Sequence, residues 1–447
     1  MNDANYLRQV REQYENYPYP LVDPQHEYKG LVIPLTEELA RINQYGFEGK
    51  KDFRRGFRAL VAGGGTGDAA IALAEQLRET DAEIVYVDIS TASMAIAQER
   101  ARLRGLTNII WRHDSLLNVP SMGIGTFDYI NSSGVLHHLA DPDAGLAALK
   151  AVLKDDGVLG IMVYAKYGRT AVYYMQETLR LLNRGEANLQ TQVDNTRALM
   201  QNMPNSNWFL KSPPDIINET ASDIGLFDLL LHPQDRAYSV PELYEFIEKQ
   251  GLQLLQLWPE NLAMGLNYYN PAMYLRDEGL RARAAALPLR DQQALAELLN
   301  GHVIRHMVYA APTPRAVPQP EDLDLIPMMH QVLHDQREAT LQTMRDASDM
   351  IMIIQQSTGV RLMLPKMPYM DAILGRIDNK SSTRDIFRAI MKQEAHKKDA
   401  PTYQSLSFEF AAMYRAMHNY SWLWLRAPNT MAPSFQDTFQ ARMPPRV

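Results

Sequence analysis

The chain has 447 residues, of which 46% are hydrophobic and 22% are charged, a composition typical of a folded globular protein. This length predicts one large elaborated domain or two to three ordinary ones. The net charge of −7 argues against a general nucleic-acid binder, and the absence of cysteine excludes disulfides, cysteine-ligated metals and thiol nucleophiles. The N-terminus lacks a basic-then-apolar signal segment, and the longest apolar run, 158–165, is too short to cross a membrane. We therefore expect a cytoplasmic protein without a membrane partner.

Short apolar runs alternate with helical patterns between residues 57 and 165. We predict strands at 57–62, 83–87, 108–111, 127–131 and 158–164, and helices at 68–77, 93–103 and 139–153. This alternation predicts βαβ units and a mostly parallel sheet, which is an α/β, doubly wound fold.

A different pattern occupies residues 165–238, where strand signals are weak and helical patterns cover 170–182 and 195–203. The α/β pattern then returns, with helices at 240–249 and 290–299 and strands at 252–258 and 303–310. We interpret 165–238 as a mainly helical insertion. Both of its ends lie at the carboxyl edge of the sheet, where α/β ligands bind, so it should cap the active site.

The expected domain layout has five parts. They are an N-terminal arm or lid (1–30), the α/β domain with its insertion (31–312), a proline-rich linker (313–322), a mainly helical C-terminal domain (323–426) and a tail (427–447). Within the C-terminal domain we predict one or two methionine-rich helices over 322–357, including a packed helix face at 350–354, and an aromatic helix over 408–426.

A glycine-rich turn between the first strand and the first helix contains Gly63, Gly65 and Gly67. Glycine permits the unusual backbone angles of a tight turn and lets a ligand approach the backbone. The next strand ends in Asp88, a carboxylate suited to accepting hydrogen bonds from two ribose hydroxyls. Asp114, at the end of the third strand, could accept a hydrogen bond from an adenine amino group.

Together with the fourth strand and the following Gly134-Val-Leu-His-His-Leu139, these features resemble the class I S-adenosylmethionine-dependent methyltransferases. The resemblance covers about 57–165 and implies a Rossmann-like sheet with S-adenosylmethionine as methyl donor. The donor-binding residues that it implies are Gly63, Gly65, Gly67, Asp88, Ile89, Asp114, Ser115, Leu116, Asn131 and Ser132.

One position departs from the family pattern. Many relatives have an acidic residue two positions before the first motif glycine, where this chain has Val61. The group that holds the donor's amino group must therefore come from elsewhere in the chain.

The N-terminal Tyr17-Pro-Tyr-Pro20 is similar to a segment that precedes the catalytic domain in a subgroup of bacterial methyltransferases, some joined to tetratricopeptide repeats. It could be a lid that places Tyr14, Tyr17 or Tyr19 over donor and acceptor. The alternative is an arm that packs its rings on the core.

Candidate catalytic residues are His137, Tyr17, Tyr19 and Arg236. His137 or His138 could remove a proton from the acceptor, although the pair could also simply begin a helix. Polar residues at the two feet of the insertion are the acceptor-site candidates: Tyr167, Arg169, His232, Asp235, Arg236 and Tyr238. Arg169 and Asp235 could instead form a salt bridge that anchors the cap. We predict no metal site, because the histidines lack ligand spacing.

The sequence 374–386 resembles small winged-helix modules, with Ser382 capping the second helix. Such a module could grip a peptide, and the alternative is that the C-terminal region forms a homodimer contact or braces the catalytic domain. The expected function is methyl transfer to an oxygen or nitrogen nucleophile of a protein or peptide side chain. The alternatives are a small-molecule acceptor, or a donor-binding regulatory protein without transfer. Nucleic acid is not the expected acceptor, since Asn131-Ser-Ser-Gly134 replaces the Asn/Asp-Pro-Pro-Tyr/Phe motif.

Overall fold

The computed structural model describes residues 14–15, 18–20, 22–232, 234–259, 266–354 and 361–431. Its centre is an eight-stranded sheet. The strands are β1 (Arg58–Ala62), β2 (Glu83–Asp88), β3 (Ile109–His113), β4 (Phe127–Ser133), β5 (Leu153–Ala165), β6 (Ala237–Tyr238), β7 (Gln253–Pro259) and β8 (Arg305–Ala311).

The strand order is β3-β2-β1-β4-β5-β8-β7, and the short β6 pairs with the end of β5. Strands β1 to β6 run parallel to one another, whereas β8 is antiparallel to both β5 and β7. The chain order reverses between β1 and β4. In an α/β sheet such a reversal is where ligands bind, outside the carboxyl ends of the strands. The predicted α/β fold class is confirmed.

Three helices connect the parallel strands: α1 (Asp68–Gln76), α2 (Thr91–Arg104) and α3 (Pro142–Ala151). Ser90 caps the start of α2 by accepting a hydrogen bond from the Ser93 amide, and Gly105 ends the helix with a φ of 65°. These local signals are why the sequence predicts these helices to within a few residues.

The insertion is helical, as expected, with α4 (Thr170–Leu182), α5 (Leu189–Asn202), α6 (Pro214–Glu219) and α7 (Asp223–Leu226). Helix α7 continues into a π-helical turn, Phe227–Leu231. The insertion has its own apolar cluster, in which Val172, Met175 and Leu229 are fully buried. After it follow α8 (Val240–Glu248), α9 (Glu278–Ala285) and α10 (Leu289–Asn300).

The C-terminal region contains more strand than the sequence analysis predicts. Its elements are β9 (Ile326–Met329), α11 (Gln331–Asp335), α12 (Arg337–Asp346), β10 (Met350–Ile354), β11 (Arg361–Pro365), α13 (Met370–Leu374), α14 (Thr383–Glu394), α15 (Tyr403–His418) and β12 (Leu423–Arg426). Ser382 caps α14 as predicted, by accepting a hydrogen bond from the Asp385 amide.

The predicted helix face at 350–354 is wrong, because this segment is strand β10, paired with β11 as an antiparallel hairpin. Its side chains alternate between buried Ile351 and Ile353 and exposed Met350 and Met352. Every residue of the segment is apolar, so the alternation that marks a strand is invisible in the sequence.

The predicted helix over 408–426 is also too long. Helix α15 ends at His418, Ser421 adopts a φ of 61°, and the chain then forms β12, which pairs with β9. The two strands lie almost a hundred residues apart in sequence, so local patterns do not reveal their pairing.

A segment of short helical turns, 35–46, joins the sheet to the C-terminal region, and we call it the bridging segment. The Arg41 guanidinium lies between the indole rings of Trp258 and Trp424, 5.8 and 5.2 Å from their centres. The Gln44 side chain donates a hydrogen bond to the Tyr414 hydroxyl (3.0 Å) and accepts one from the Leu425 amide (3.1 Å). The sheet and the C-terminal region therefore share one packed interface. Among the described helices, none is both long and apolar enough to span a bilayer.

Candidate functional site

The glycine-rich turn lies at the carboxyl end of β1, where it enters α1. Gly67 has a φ of 107°, and a Cβ at this position would approach the Cβ of Ala97 to 2.8 Å. Only glycine therefore fits there without moving α2. The Gly65 amide donates a hydrogen bond to Asp88 Oδ2 (2.8 Å), and its carbonyl accepts one from the Tyr86 hydroxyl (2.6 Å). The turn is thus held rigidly with its backbone open to a ligand.

Asp88, the last residue of β2, is buried beside this turn. Its second carboxylate oxygen accepts a hydrogen bond from the Ser90 amide at 2.8 Å. Burial raises the pKa of the Asp88 carboxyl above its usual value. Each carboxylate oxygen has two acceptor positions, so both can still accept a hydrogen bond from a ribose hydroxyl.

Asp114 follows β3 and faces the same cavity. Its Oδ1 accepts hydrogen bonds from the Ser115 amide (2.7 Å) and from the Asn118 side chain (2.8 Å), which fixes the carboxylate. Leu116 and Ile89 supply apolar surface next to it. A carboxylate acceptor between apolar walls suits an adenine ring with its amino group.

These residues line one cavity of about 410 Å³. Of the donor-binding residues that the family resemblance implies, Ser132 alone does not line it. Asn131 and Ser133 face the cavity, and side chains alternate along a strand, so Ser132 points to the opposite face of the sheet. The residues present therefore fit S-adenosylmethionine.

The far end of the cavity carries tyrosines and a carboxylate. The Tyr14 and Tyr164 hydroxyls donate hydrogen bonds to the two oxygens of Asp228, at 3.3 and 3.4 Å. Tyr19 donates to Glu219 Oε1 at 2.7 Å. Burial, together with the negative charge of Glu219, raises the pKa of Asp228 to about 7. This end can therefore accept a proton or bind a hydrogen-bond donor near neutral pH.

The N-terminal arm lies across the donor side of the cavity. The Pro20 carbonyl accepts a hydrogen bond from the Thr66 hydroxyl (3.0 Å), and the Tyr14 carbonyl accepts one from the Ser90 hydroxyl (3.0 Å). Glu15 accepts hydrogen bonds from the Thr91 amide and hydroxyl at the start of α2. Tyr14 and Tyr19 both line the cavity, whereas Tyr17 falls outside the described residues.

The two adjacent histidines have different positions. His138 lines the cavity, whereas His137 does not, and its ring packs 3.9 Å from the Tyr164 ring. Neither ring nitrogen of His137 has a hydrogen-bond partner among the described residues, and burial holds its pKa well below the usual value. His137 is therefore neutral and lies behind the cavity wall, which does not suit a general base.

Three side chains, His138, Asp228 and His232, place possible ligand atoms within 4.8 Å of one another. The two imidazole rings, however, are stacked with centres 3.9 Å apart, so an ion between them would lie outside both ring planes and away from the lone pairs. His232 Nδ1 also accepts a hydrogen bond from the Gln234 amide (3.1 Å), which leaves the proton of the neutral ring on Nε2. This geometry suits a hydrogen-bonded cluster better than a metal site.

The residues predicted at the feet of the insertion do not form the cavity wall. Tyr167 and Arg236 are exposed, and the Arg236 guanidinium lies over the ring of the buried Tyr238. Arg169 and Asp235 form a buried ion pair at 3.9 Å, as the structural alternative predicts. The Arg169 guanidinium also lies 3.5 Å from the centre of the Tyr164 ring, so this pair supports the wall from behind. His232 contacts the cavity indirectly, through the Tyr14 hydroxyl at 3.5 Å.

Sequence reasoning missed several cavity residues, among them Glu37, Tyr164, Asp228 and Arg305. Asp228 carried a usable signal, because it is a single carboxylate inside the apolar run 226–231. Glu37 and Arg305 belong to no recognisable motif, and Tyr164 reads as the end of a buried strand.

Residues 60–159 match the family model described as a methyltransferase domain. An uncharacterised protein of Synechococcus sp. is 32% identical over 277 residues, which is 61% of this chain and 64% of that protein. The tRNA 5-carboxymethoxyuridine methyltransferase of Escherichia coli is 33% identical over 112 residues, 25% of this chain and 41% of that enzyme. The chain thus spans less than two thirds of the length of these two relatives.

Among solved structures, PKMT2 from Rickettsia typhi in complex with AdoHcy superimposes with a TM-score of 0.61. The superposition covers 89% of this chain and 77% of that chain at 14% identity, so the likeness is one of fold. It extends well beyond the matched domain and includes the C-terminal part of the chain.

The glycine turn, the two fixed carboxylates and the family match agree with one another. Residues 60–159 form a methyltransferase domain of the class I, S-adenosylmethionine-dependent kind, and the residues of the cavity fit S-adenosylmethionine as the methyl donor.

Proposed function

We propose that this chain transfers a methyl group from S-adenosylmethionine to a nitrogen or oxygen nucleophile on a protein or peptide side chain. The observation that carries the proposal is a single cavity that joins the donor-binding turn to Asp228 and its tyrosine partners. Donor and acceptor can therefore meet inside one enclosure.

When bound, S-adenosylmethionine would supply an electrophilic methyl group on its sulfonium, and an in-line nucleophile would bond to the methyl carbon as the carbon–sulfur bond breaks and the neutral sulfide leaves. The chain's own contribution is to hold the nucleophile and to accept the proton that it loses. With a pKa of about 7, the Asp228 carboxylate can take that proton near neutral pH. The hydroxyls of Tyr14 and Tyr164 fix its two oxygens, and the raised pKa of both tyrosines keeps them neutral donors.

The character of the acceptor end supports an amine as the nucleophile. A carboxylate surrounded by tyrosine hydroxyls attracts a protonated amine and can then remove its proton. A lysine side chain, which is slender and ends in an amine, meets this requirement.

The enclosure also supports a second candidate, a small-molecule acceptor. The N-terminal arm and the insertion both cover the cavity. The arm contributes Tyr19 and the insertion contributes Asp228. A compact metabolite would fit such a site without an external docking surface.

The test is to incubate the purified full-length chain with methyl-labelled S-adenosylmethionine and a soluble bacterial lysate. Label in macromolecules is then separated from label in small molecules, and protease treatment of the macromolecular fraction identifies a protein acceptor. Asp88→Ala serves as the control for donor-dependent labelling and Asp228→Asn for the acceptor end.

Protease-sensitive label that both variants lose would support the proposal. Label confined to the low-mass fraction would favour the small-molecule acceptor. Donor binding without any transfer would contradict enzymatic activity and favour a donor-binding regulatory protein.

A further inference from the structure

The strand register shows where a carboxylate for the donor's amino group could be found. Val61 occupies the position at which many relatives have an acidic residue, and in the β1–β4 ladder it is paired with Asn131. The Asn131 side-chain amide donates a hydrogen bond to Glu37 Oε1. Glu37, from the bridging segment, thus reaches the end of the sheet beside Val61.

Only one oxygen of the Glu37 carboxylate has hydrogen-bond partners among the described residues. Its Oε1 accepts hydrogen bonds from Asn131 and from the Thr36 hydroxyl (2.7 Å), whereas Oε2 has no hydrogen-bond partner among the described residues. Glu37 is fully buried, yet it lines the cavity next to the glycine turn. A buried carboxylate with an unpaired oxygen is costly unless a ligand supplies a donor or a positive charge.

Neighbouring cations do not neutralise Glu37 in the described structure. Arg41 donates to Glu38 at 2.7 Å, and Arg100 binds Asp68 (2.7 Å) and Glu27 (2.6 Å). Asp68, on α1, adds a repulsive negative charge. Glu37 Oε2 is therefore available to pair with a cationic ligand.

The backbone beside Glu37 is held in place. The hydroxyls of Tyr129 on β4 and Tyr309 on β8 both donate to the Thr36 carbonyl, at 2.6 and 2.9 Å. Burial keeps both phenols neutral by raising their pKa. The carboxylate is thus presented to the cavity from a rigid support, as a binding group requires.

We propose that Glu37 binds the α-ammonium group of the donor's methionine part and replaces the acidic residue missing at Val61. Asn131 acts as a positioning residue that holds Oε1 and leaves Oε2 for the ligand. The inference rests on donor binding by this cavity, and it gives the bridging segment a direct role in that binding.

The first test compares ligands that share the adenosine part. Glu37→Gln should lower the affinity for S-adenosylmethionine and for S-adenosylhomocysteine by about 10- to 100-fold, since a charge-assisted hydrogen bond is lost. It should leave 5′-methylthioadenosine, which lacks the ammonium group, unchanged. The measurement is isothermal titration calorimetry on the full chain, with thermal unfolding to confirm that the variant is folded.

The matched control is Glu38→Gln, which makes the same change one residue further along. Glu38 is also buried, but it pairs with Arg41 and does not line the cavity. The ratio of the Kd values for S-adenosylhomocysteine and 5′-methylthioadenosine should be the same in the Glu38→Gln protein as in the wild type.

A second readout is proton release. Burial raises the pKa of Glu37 to about 7, so at pH 6 the free carboxyl is mostly protonated. An ammonium ligand favours the ionised form, and binding should release up to about one proton at pH 6 and almost none at pH 8.5. Calorimetry in two buffers of different ionisation enthalpy measures this release, and Glu37→Gln should abolish it.

Other titratable groups face the same space and must be separated from Glu37. Asp68 on α1, Arg41 on the bridging segment, Tyr129 on β4 and Tyr309 on β8 act on Glu37 directly. Asp228, across the cavity, has a similar pKa of about 7. Asp228→Asn should therefore retain the proton release that Glu37→Gln loses.

Four results would overturn the inference. An equal loss of affinity for all three ligands would mean that Glu37 only shapes the turn. A loss of affinity for S-adenosylmethionine alone would place Glu37 at the sulfonium. Unchanged affinity for every ligand would show that Glu37 does not bind the donor. If the wild type bound neither S-adenosylmethionine nor S-adenosylhomocysteine, the proposed function would fail as well.

Discussion

The two ends of the cavity are built in different ways. The donor end comes mainly from consecutive strand ends and turns between Gly63 and Gly134, where backbone amides fix the carboxylates, with Glu37 of the bridging segment as the proposed addition. At the acceptor end, Tyr14 and Tyr164 meet Asp228 across 214 and 64 residues of sequence. A local unit can thus bind a constant ligand, while distant segments can change the acceptor without disturbing the donor site. The following predictions test this separation.

We expect the largest effect from Asp88→Ala at the donor end. This change removes the carboxylate that would bind the ribose and that accepts hydrogen bonds from the Gly65 and Ser90 amides. The affinity for S-adenosylmethionine should therefore fall by about 100-fold or more. Calorimetry measures the affinity, and Tyr19→Phe is the control that should retain it. Normal donor binding by a folded Asp88→Ala protein would contradict the assignment of the donor end.

At the acceptor end, Asp228→Asn should lower turnover by about 10²- to 10⁴-fold while donor affinity stays the same, because the amide cannot accept the proton. Wild-type turnover at saturating donor should rise with pH around 7, and the variant should lose this rise. A parallel loss of donor affinity would show that the two ends are not separate.

The same change should alter stability in a pH-dependent way. The pKa of Asp228 is raised from 3.8 to about 7, so ionising it in the folded state destabilises the protein as pH rises through this range. Asp228→Asn should therefore have a higher Tm than the wild type at pH 8 and no advantage at pH 4. A Tm difference independent of pH would contradict the raised pKa.

Tyr19→Phe should have a moderate effect, a decrease in turnover of about tenfold, because Glu219 loses the hydroxyl that donates to it at 2.7 Å. Tyr174→Phe is the matched control, since Tyr174 is 57% exposed. If Tyr19→Phe left both donor affinity and turnover unaltered, the arm would be a packing element only.

The smallest effect is expected from Arg236→Ala. Sequence analysis places Arg236 among the catalytic candidates, whereas the structure places its guanidinium over the ring of Tyr238, outside the cavity lining. Turnover should change less than about twofold, as for other exposed substitutions. A large loss of turnover with intact donor affinity would show that the acceptor extends as far as the foot of the insertion.

The same difference explains what the sequence can predict. The glycine turn, Asp88 and Asp114 each follow a strand directly, so a local pattern predicts both their structure and their role. Asp228 and Glu37 reach the cavity only when the insertion and the bridging segment fold onto the sheet, and no local spacing encodes that contact. The hairpin containing Met350 was missed for a related reason, because a uniformly apolar run has no visible period.

The position of Arg41 between two indoles has a consequence for how such a protein can evolve. Trp258 belongs to the central sheet and Trp424 to the last described strand, while the Tyr45 hydroxyl and His418 Nε2 form a hydrogen bond of 2.9 Å across the same boundary. Removing the C-terminal region would expose Trp258 and Tyr45, take Trp424 away from Arg41, and remove both hydrogen-bond partners of the Gln44 side chain. The C-terminal region is therefore not an exchangeable module, and changes in it must be accommodated by the segment that also carries Glu37.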